Sequence, residues 1–403
     1  MSNRFDEPHN SARTLAGATI LQVVPALREE PAARTALDVA HTLVLAGARA
    51  LVAGREGPLV GELKAYGAEW IPLQADSANP FMRMRNARVL EDLIGAERID
   101  IVHVHCPGAA RSARRAAAKT AAWLVTTLPD VPPASSSEFI SVVGDLARGD
   151  RIIAPSNYAA APVMEHFGHP RERITVIPRG IDTGLFDPQT VESARLDDLL
   201  QAWQVSSSER IVLAPGRVAP WNGQLLLPDM ARTLTDCGYR DIVFVVVGEN
   251  RQHQRYARAI LAQAQAMGVD AMFRIAGHCP DMPAAFATAD VVVVPAVEPP
   301  VLGRVVAQAQ AMGKPVVTSD VGVLPEYVVV PPHLPEDVRT GWVAAKGDAL
   351  DFARALALAL TLDDEAYRAM CARAREFATY MFSPDSVAAA TRAVYTSLLA
   401  REF

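Results

Sequence analysis

Most of the side chains with chemistry to offer sit between Pro295 and Glu326, in PAVEPPVLGRVVAQAQAMGKPVVTSDVGVLPE. An apolar strand over Val291–Val294 runs into a Pro-rich turn and then a helix that opens near Gly303. Gly313 stops that helix, and a second apolar strand, Pro315–Thr318, follows. The first turn of such a helix directs free N–H groups at the carboxyl end of a parallel sheet, where phosphates are commonly bound. Arg304, in that first turn, opposes the helix dipole, so it either faces an anion or is solvated or paired. Ser319 and Asp320 close the second strand in the same region, and Glu326 either lines the pocket or caps the next turn. Elsewhere, His103 and His105 fall on one side of a strand. His105, late in that strand, either faces a binding cleft or is a satisfied structural histidine. Residues 109–122 place Arg111, Arg114, Arg115 and Lys119 on a basic helix face. That face is either solvated or touches anionic lipid or a phosphate-bearing acceptor.

The elements that must position these groups follow from pattern and punctuation. The chain has 403 residues, half of them apolar, enough for two domains with sizeable cores. A net charge of −6 gives no basis for a nucleic-acid partner. Four cysteines (Cys106, Cys237, Cys279, Cys371) lie far apart with no metal-ligand spacing, which fits a reducing cytoplasm. Met1 to Arg13 is polar, with no signal pattern, and no apolar run approaches a membrane span. Strands expected at 18–24, 49–53, 70–73, 99–105, 123–127, 152–154 and 174–177 alternate with helices, which predicts right-handed crossovers and a parallel sheet. The turn-rich RGIDTGLFDP (Arg179–Pro188) then connects to a second set of strands at 211–214, 242–247, 272–275, 291–294 and 315–318. Helices are expected at 348–362, 364–380 and 385–401. The division is therefore a lead-in over 1–17, domains over 18–187 and 188–384, and a last helix over 385–403.

Four segments, GDLARGDRIIAPSN (Gly144–Asn157), RERITVIPRGIDTGLFDP (Arg171–Pro188), APGRVAPWNGQ (Ala214–Gln224) and GRVVAQAQAMGKPVVTSD (Gly303–Asp320), occur in an order that resembles family 4 glycosyltransferases. The resemblance spans roughly residues 18–400. It implies the GT-B architecture, α/β, with two Rossmann-like parallel-sheet domains facing across a cleft and a C-terminal helix crossing back to the first. It also implies a retaining transfer from a nucleotide-sugar donor to a cell-envelope glycan or lipid-linked acceptor. No cofactor or metal is expected, because helix N–H groups and Arg217 would take the cation's role. Peripheral contact with the inner face of the cytoplasmic membrane would suit a lipid-linked acceptor.

The same resemblance assigns donor binding to Arg217, Asn222, Gly303, Arg304, Gln308, Glu298 and Glu326, with His105, Ser319 and Asp320 facing the cleft. Several positions depart from the family. Pro300 and Gln308 replace two glutamates, with Glu298 two residues before the first, and Asn222 replaces a lysine. Glu30 and Pro31 stand where relatives carry Gly-Gly, and Pro129 and Asp130 where they carry His-Gly. Gln308 retains an acceptor for a ribose hydroxyl but no charge. Charged hydrogen bonds contribute about 1.5–3 kcal/mol each, so together these changes reach the scale of catalysis, about 8–23 kcal/mol. Two readings therefore stand: an active transferase, or an inactive relative serving as partner or regulatory subunit of an active paralogue.

Overall fold

The computed structural model describes residues 14–77, 79–129, 142–249, 251–300, 302–331 and 336–400. The chain forms two compact units, one running up to Gly180 and taking in Pro384 onward, the other Ile181–Ser383. Residues 181–187, assigned to the first domain from sequence, pack with the second unit. The Ile181 N–H donates to the Phe382 carbonyl at 2.8 Å, and Ile181 and Phe186 are buried in that unit's core.

The first unit holds β1 (Thr19–Ala26), β2 (Arg49–Arg55), β3 (Glu69–Pro72), β4 (Ile101–Val104), β5 (Trp123–Thr127), β6 (Arg151–Ala154) and β7 (Ile174–Val176). They form one parallel sheet in the order β3-β2-β1-β4-β5-β6-β7. The strands read as continuous Val, Ile, Leu and Ala runs because helices cover both faces. The helix Pro384–Leu399 belongs to one of those faces. Val387, Tyr395 and Leu398 are buried there with Leu37, Ala40 and Leu43 of the helix Pro31–Leu45. Residues 14–17, expected to belong to a lead-in, are tied down instead: the Gly17 N–H donates to the Gly47 carbonyl at 2.9 Å. Residues 1–13 and most of the Pro/Ser-rich loop, 130–137, lie outside the described residues.

The second unit holds β8 (Arg210–Pro215), β9 (Ile242–Val247), β10 (Phe273–Gly277), β11 (Val291–Val294), β12 (Val316–Ser319) and β13 (Gly341–Ala344), a parallel sheet ordered β10-β9-β8-β11-β12-β13. Alternate residues of β8 feed opposite cores: Ile211 and Leu213 on one face, Val212 and Ala214 on the other. β13 was not expected from the sequence. Its four residues, GWVA, are too short and mixed to read as an apolar run, and they earn strand geometry by pairing along all of β12. Between Gln224 and Cys237 a 3₁₀ turn (Gln224–Leu226) precedes the helix Leu227–Asp236, which restarts at Pro228. The basic helix is Pro107–Ala117, shorter than the tract read from sequence. Among the described residues no helix is long and apolar enough to cross a membrane.

Candidate active site at the switch point of the second sheet

β8 sits where the second sheet changes direction. Successive strands β9 and β10 add on one side of it, and β11, β12 and β13 on the other. In open parallel sheets the loops leaving such a pair of strands diverge and open a crevice at their carboxyl ends. A cavity of about 200 Å³ occupies that place, between the ends of β8 and β11. Its wall is mainly apolar, including Ala214, Val293, Pro295 and Leu302, with Arg217, Asn222 and Gln224 as the polar residues.

The two loops are stitched to each other. The Val297 and Glu298 N–H groups both donate to the Trp221 carbonyl, at 2.9 and 3.1 Å. Gly223, with φ +68°, packs so tightly that a Cβ would stand 1.9 Å from the Pro295 oxygen. Gly303 closes the cavity's other side as N-cap of the helix Arg304–Ala311. A Cβ there would fall 2.5 Å from the Tyr327 ring, so close packing of Tyr327 requires this glycine.

Of the residues singled out from sequence, Arg217, Asn222 and Gly303 line this cavity, and so does Pro300. Arg217 is exposed and has no ion-pair partner among the described residues, which leaves its charge for an incoming anion. Asn222 acts on the loop: its Nδ2 donates to the Arg217 carbonyl at 2.7 Å, beside the Gln224 amide at 3.0 Å. Arg304, Glu298 and Asp320 are exposed, and Gln308 and Glu326 half-buried; none of the five lines the cavity. Asp320 accepts from the Lys346 N–H at 2.8 Å, so it fixes the loop after the unforeseen β13. Ser319 is fully buried and its hydroxyl has no partner among the described residues. Gln310, missed from sequence, is fully buried and donates to the Tyr327 carbonyl, anchoring the residue that packs on Gly303. Its place on the helix's inner face is the signal that marks it.

In the first unit, His105 is only 5% exposed. Gln22 gives its amide N–H to the Ala36 carbonyl at 2.7 Å, so its oxygen accepts from His105 Nε2 at 3.0 Å. That bond fixes the tautomer and leaves His105 Nδ1 as a buried acceptor. Burial, with Arg179 nearby, pushes the His105 imidazole down to about 3. His103 bridges Tyr395 Oη (2.6 Å) and Thr127 Oγ1 (2.7 Å), and burial holds it well below the usual histidine range. His105 is thus a neutral histidine held by Gln22, and with His103, Thr127 and Arg179 it lines a small pocket of the first unit. In the first unit's loop after β1, Glu30 is the exposed N-cap of the helix begun by Pro31. Pro129 follows β5, and Asp130 lies outside the described residues.

Two family models match consecutive parts of the chain: Glycosyltransferase Family 4 over residues 32–185 and Glycosyl transferases group 1 over residues 209–361. Between them they span both sheets, and the cavity falls inside the second. The chain belongs to the family 4 glycosyltransferases. A D-inositol 3-phosphate glycosyltransferase of Segniliparus rotundus is 30% identical over 186 residues, 45% of this chain and 40% of that relative. The chain thus matches less than half of that relative's length. Among solved structures, a glycosyltransferase from Rickettsia africae has a TM-score of 0.75 at 24% identity, covering 96% of this chain and 100% of that one. Anabaena HepE, solved with UDP, has a TM-score of 0.70 at 20% identity, over 94% of this chain and 100% of that one. These neighbours establish the GT-B fold. Among the described residues, no carboxylate lines the cavity.

Proposed function

We propose that this family 4 glycosyltransferase binds a nucleoside diphosphate sugar in the second unit and transfers the sugar to a cell-envelope glycan or lipid-linked acceptor. The observation that carries the reading is the cavity at the β8–β11 switch point, with unpaired Arg217 on one wall and the N-terminus of the helix Arg304–Ala311 on the other. As the glycosidic bond breaks, negative charge grows on the leaving diphosphate. A guanidinium and helix N–H groups directed at that charge stabilise the transition state more than the ground state. The transfer retains anomeric configuration and uses no metal in this reading, because those donors carry the diphosphate's charge. Product NMR and an assay in EDTA check the two points. The UDP complex of Anabaena HepE makes uridine nucleotides the first donors to try.

Isothermal titration with UDP, GDP and ADP, with and without Mg²⁺, tests the site. One nucleotide binds at micromolar Kd, and Arg217→Ala weakens it by roughly 10- to 100-fold, the effect of losing a charged hydrogen bond of about 1.5–3 kcal/mol. No binding at millimolar nucleotide would exclude an independent enzyme. That outcome would support the second reading, an inactive partner of an active paralogue. Two observations favour it: Asn222, at the family's lysine position, is committed to the Arg217 carbonyl, and no acidic side chain is among the described residues that line the cavity.

A further inference from the structure

The basic tract that stood out in the sequence is largely spent on ion pairs: Arg111 and Arg114 both reach Asp145, at 2.9 and 3.2 Å, and Lys119 reaches Glu91 at 2.7 Å. An unanswered polar atom of the first unit lies deeper. A cavity of about 10 Å³ is lined there by His105, Thr127 and Arg179, with Thr35 of the helix Pro31–Leu45 and Thr391 of the last helix. His105 is buried, and its Nδ1 has no hydrogen-bond partner among the described residues. Its Nε2 is taken by Gln22, which is not among the residues around the cavity. Nδ1 is therefore the polar atom that the ring offers to the cavity. A buried acceptor left without a donor is costly, and buried polar groups in folded proteins are answered by protein or by ordered water.

We propose that this cavity is the site of one internal water molecule, which donates to His105 Nδ1 and ties the end of β4 to the last helix through Thr391. Size limits the occupant first. A space of about this volume holds a single water and nothing larger. Charge limits it next. The Nδ1 lone pair turns away an anion, which has no proton to give, and the Arg179 guanidinium turns away a cation. What remains is a neutral group with an O–H. Thr391 fits as its second partner: its hydroxyl donates to the Val387 carbonyl at 2.8 Å, so towards the cavity its oxygen accepts. The hydroxyl of half-buried Thr35 can turn to donate to the water's oxygen, which completes the roughly three bonds that buried waters make. Helix, strand and last helix would then share one hydrogen-bonded junction, built from residues far apart in the chain. The cavity lies in the first unit, and the inference stands whether or not the second unit binds a nucleotide.

The experiment is a high-resolution crystal structure of the full chain, grown and cooled without glycerol, beside one of Val387→Ile. Val387 lines the cavity, and one added methylene is enough to fill it. In the wild type one ordered oxygen stands within hydrogen-bond reach of both His105 Nδ1 and Thr391 Oγ1. In Val387→Ile that oxygen is gone, and the first unit melts roughly 2–12 °C lower because the acceptor is left alone. Lack of an ordered oxygen in the wild type would overturn the proposal, even if Val387→Ile were destabilised, since overpacking alone would then explain the loss. A variant that melts at or above the wild-type temperature would overturn it as well, by showing that the space was an apolar void improved by filling. Density for a side chain folded into the cavity, or for a molecule larger than water, would assign the site to another occupant and sink the inference.

Discussion

His103 joins three parts of the first unit that are distant in sequence: the end of β4, Thr127 at the end of β5, and Tyr395 on the last helix. Its ring also lies 3.9 Å from that of His105, with Arg179 close enough to disfavour a proton on either. Both histidines are therefore neutral in the folded protein, with affinities for protons below the unfolded value near 6.5. On acidification the unfolded chain takes up these protons first. Stability is complete above about pH 6.5 and falls as pH drops toward the folded value of about 3 for His105, by up to about 1.4 kcal/mol per pH unit for each histidine. Urea midpoints measured across this acidic range should show the slope. His105→Gln should be less stable at neutral pH, because it disturbs Gln22, yet lose stability less steeply with acid. An equal slope in the variant would mean that His105 is already charged in the fold.

At the scale of elements, the cavity depends on two loops held in contact rather than on any one ligand. Gly223 sits at that contact, and Gly268 supplies the control. Both have a left-handed backbone, φ +68° and +67°, but a Cβ on Gly268 meets nothing within 4 Å while one on Gly223 overlaps the Pro295 oxygen. Gly268→Ala should cost only the backbone strain, about 1–2 kcal/mol, and leave nucleotide affinity intact. Gly223→Ala should force the loops apart and lower affinity at least tenfold in the same titration. Similar affinities in the two variants would show that the loop contact does not shape the site. Sequence reached this region unevenly, for physical reasons. The βαβ rhythm is carried by apolar runs and glycine stops, so nearly every strand was legible; Gly303 followed from the opening of a helix, and Arg217 and Asn222 from the family resemblance. β13 was hidden because its order comes from pairing with β12. Asp320, read as a cleft candidate from its place at a strand end, also accepts from the Lys346 N–H in the loop after β13, a contact that the reading without β13 did not show. Glu298, Arg304 and Gln308 were near the cavity in sequence, but loop path and helix rotation, which no spacing reveals, turn them from its wall.

At the scale of the whole molecule, each unit owns its cores, and the last helix is part of the first unit although it follows the second in the chain. Leu398 is fully buried on that helix, among residues of the first unit only. Truncating it leaves a cavity that the packed neighbours fill only partly, and Leu→Ala at such sites costs about 2–5 kcal/mol. The cavity between β8 and β11 is lined wholly by residues of the second unit. Leu398→Ala should therefore make trypsin cut first within the first unit while the nucleotide isotherm stays the same. Arg217→Ala should do the reverse, losing affinity while proteolysis and melting hold. That reciprocal pair separates a binding site owned by one unit from a site that needs both. If affinity falls in step with the first unit's stability, donor binding requires more of the chain than the second sheet and its loops.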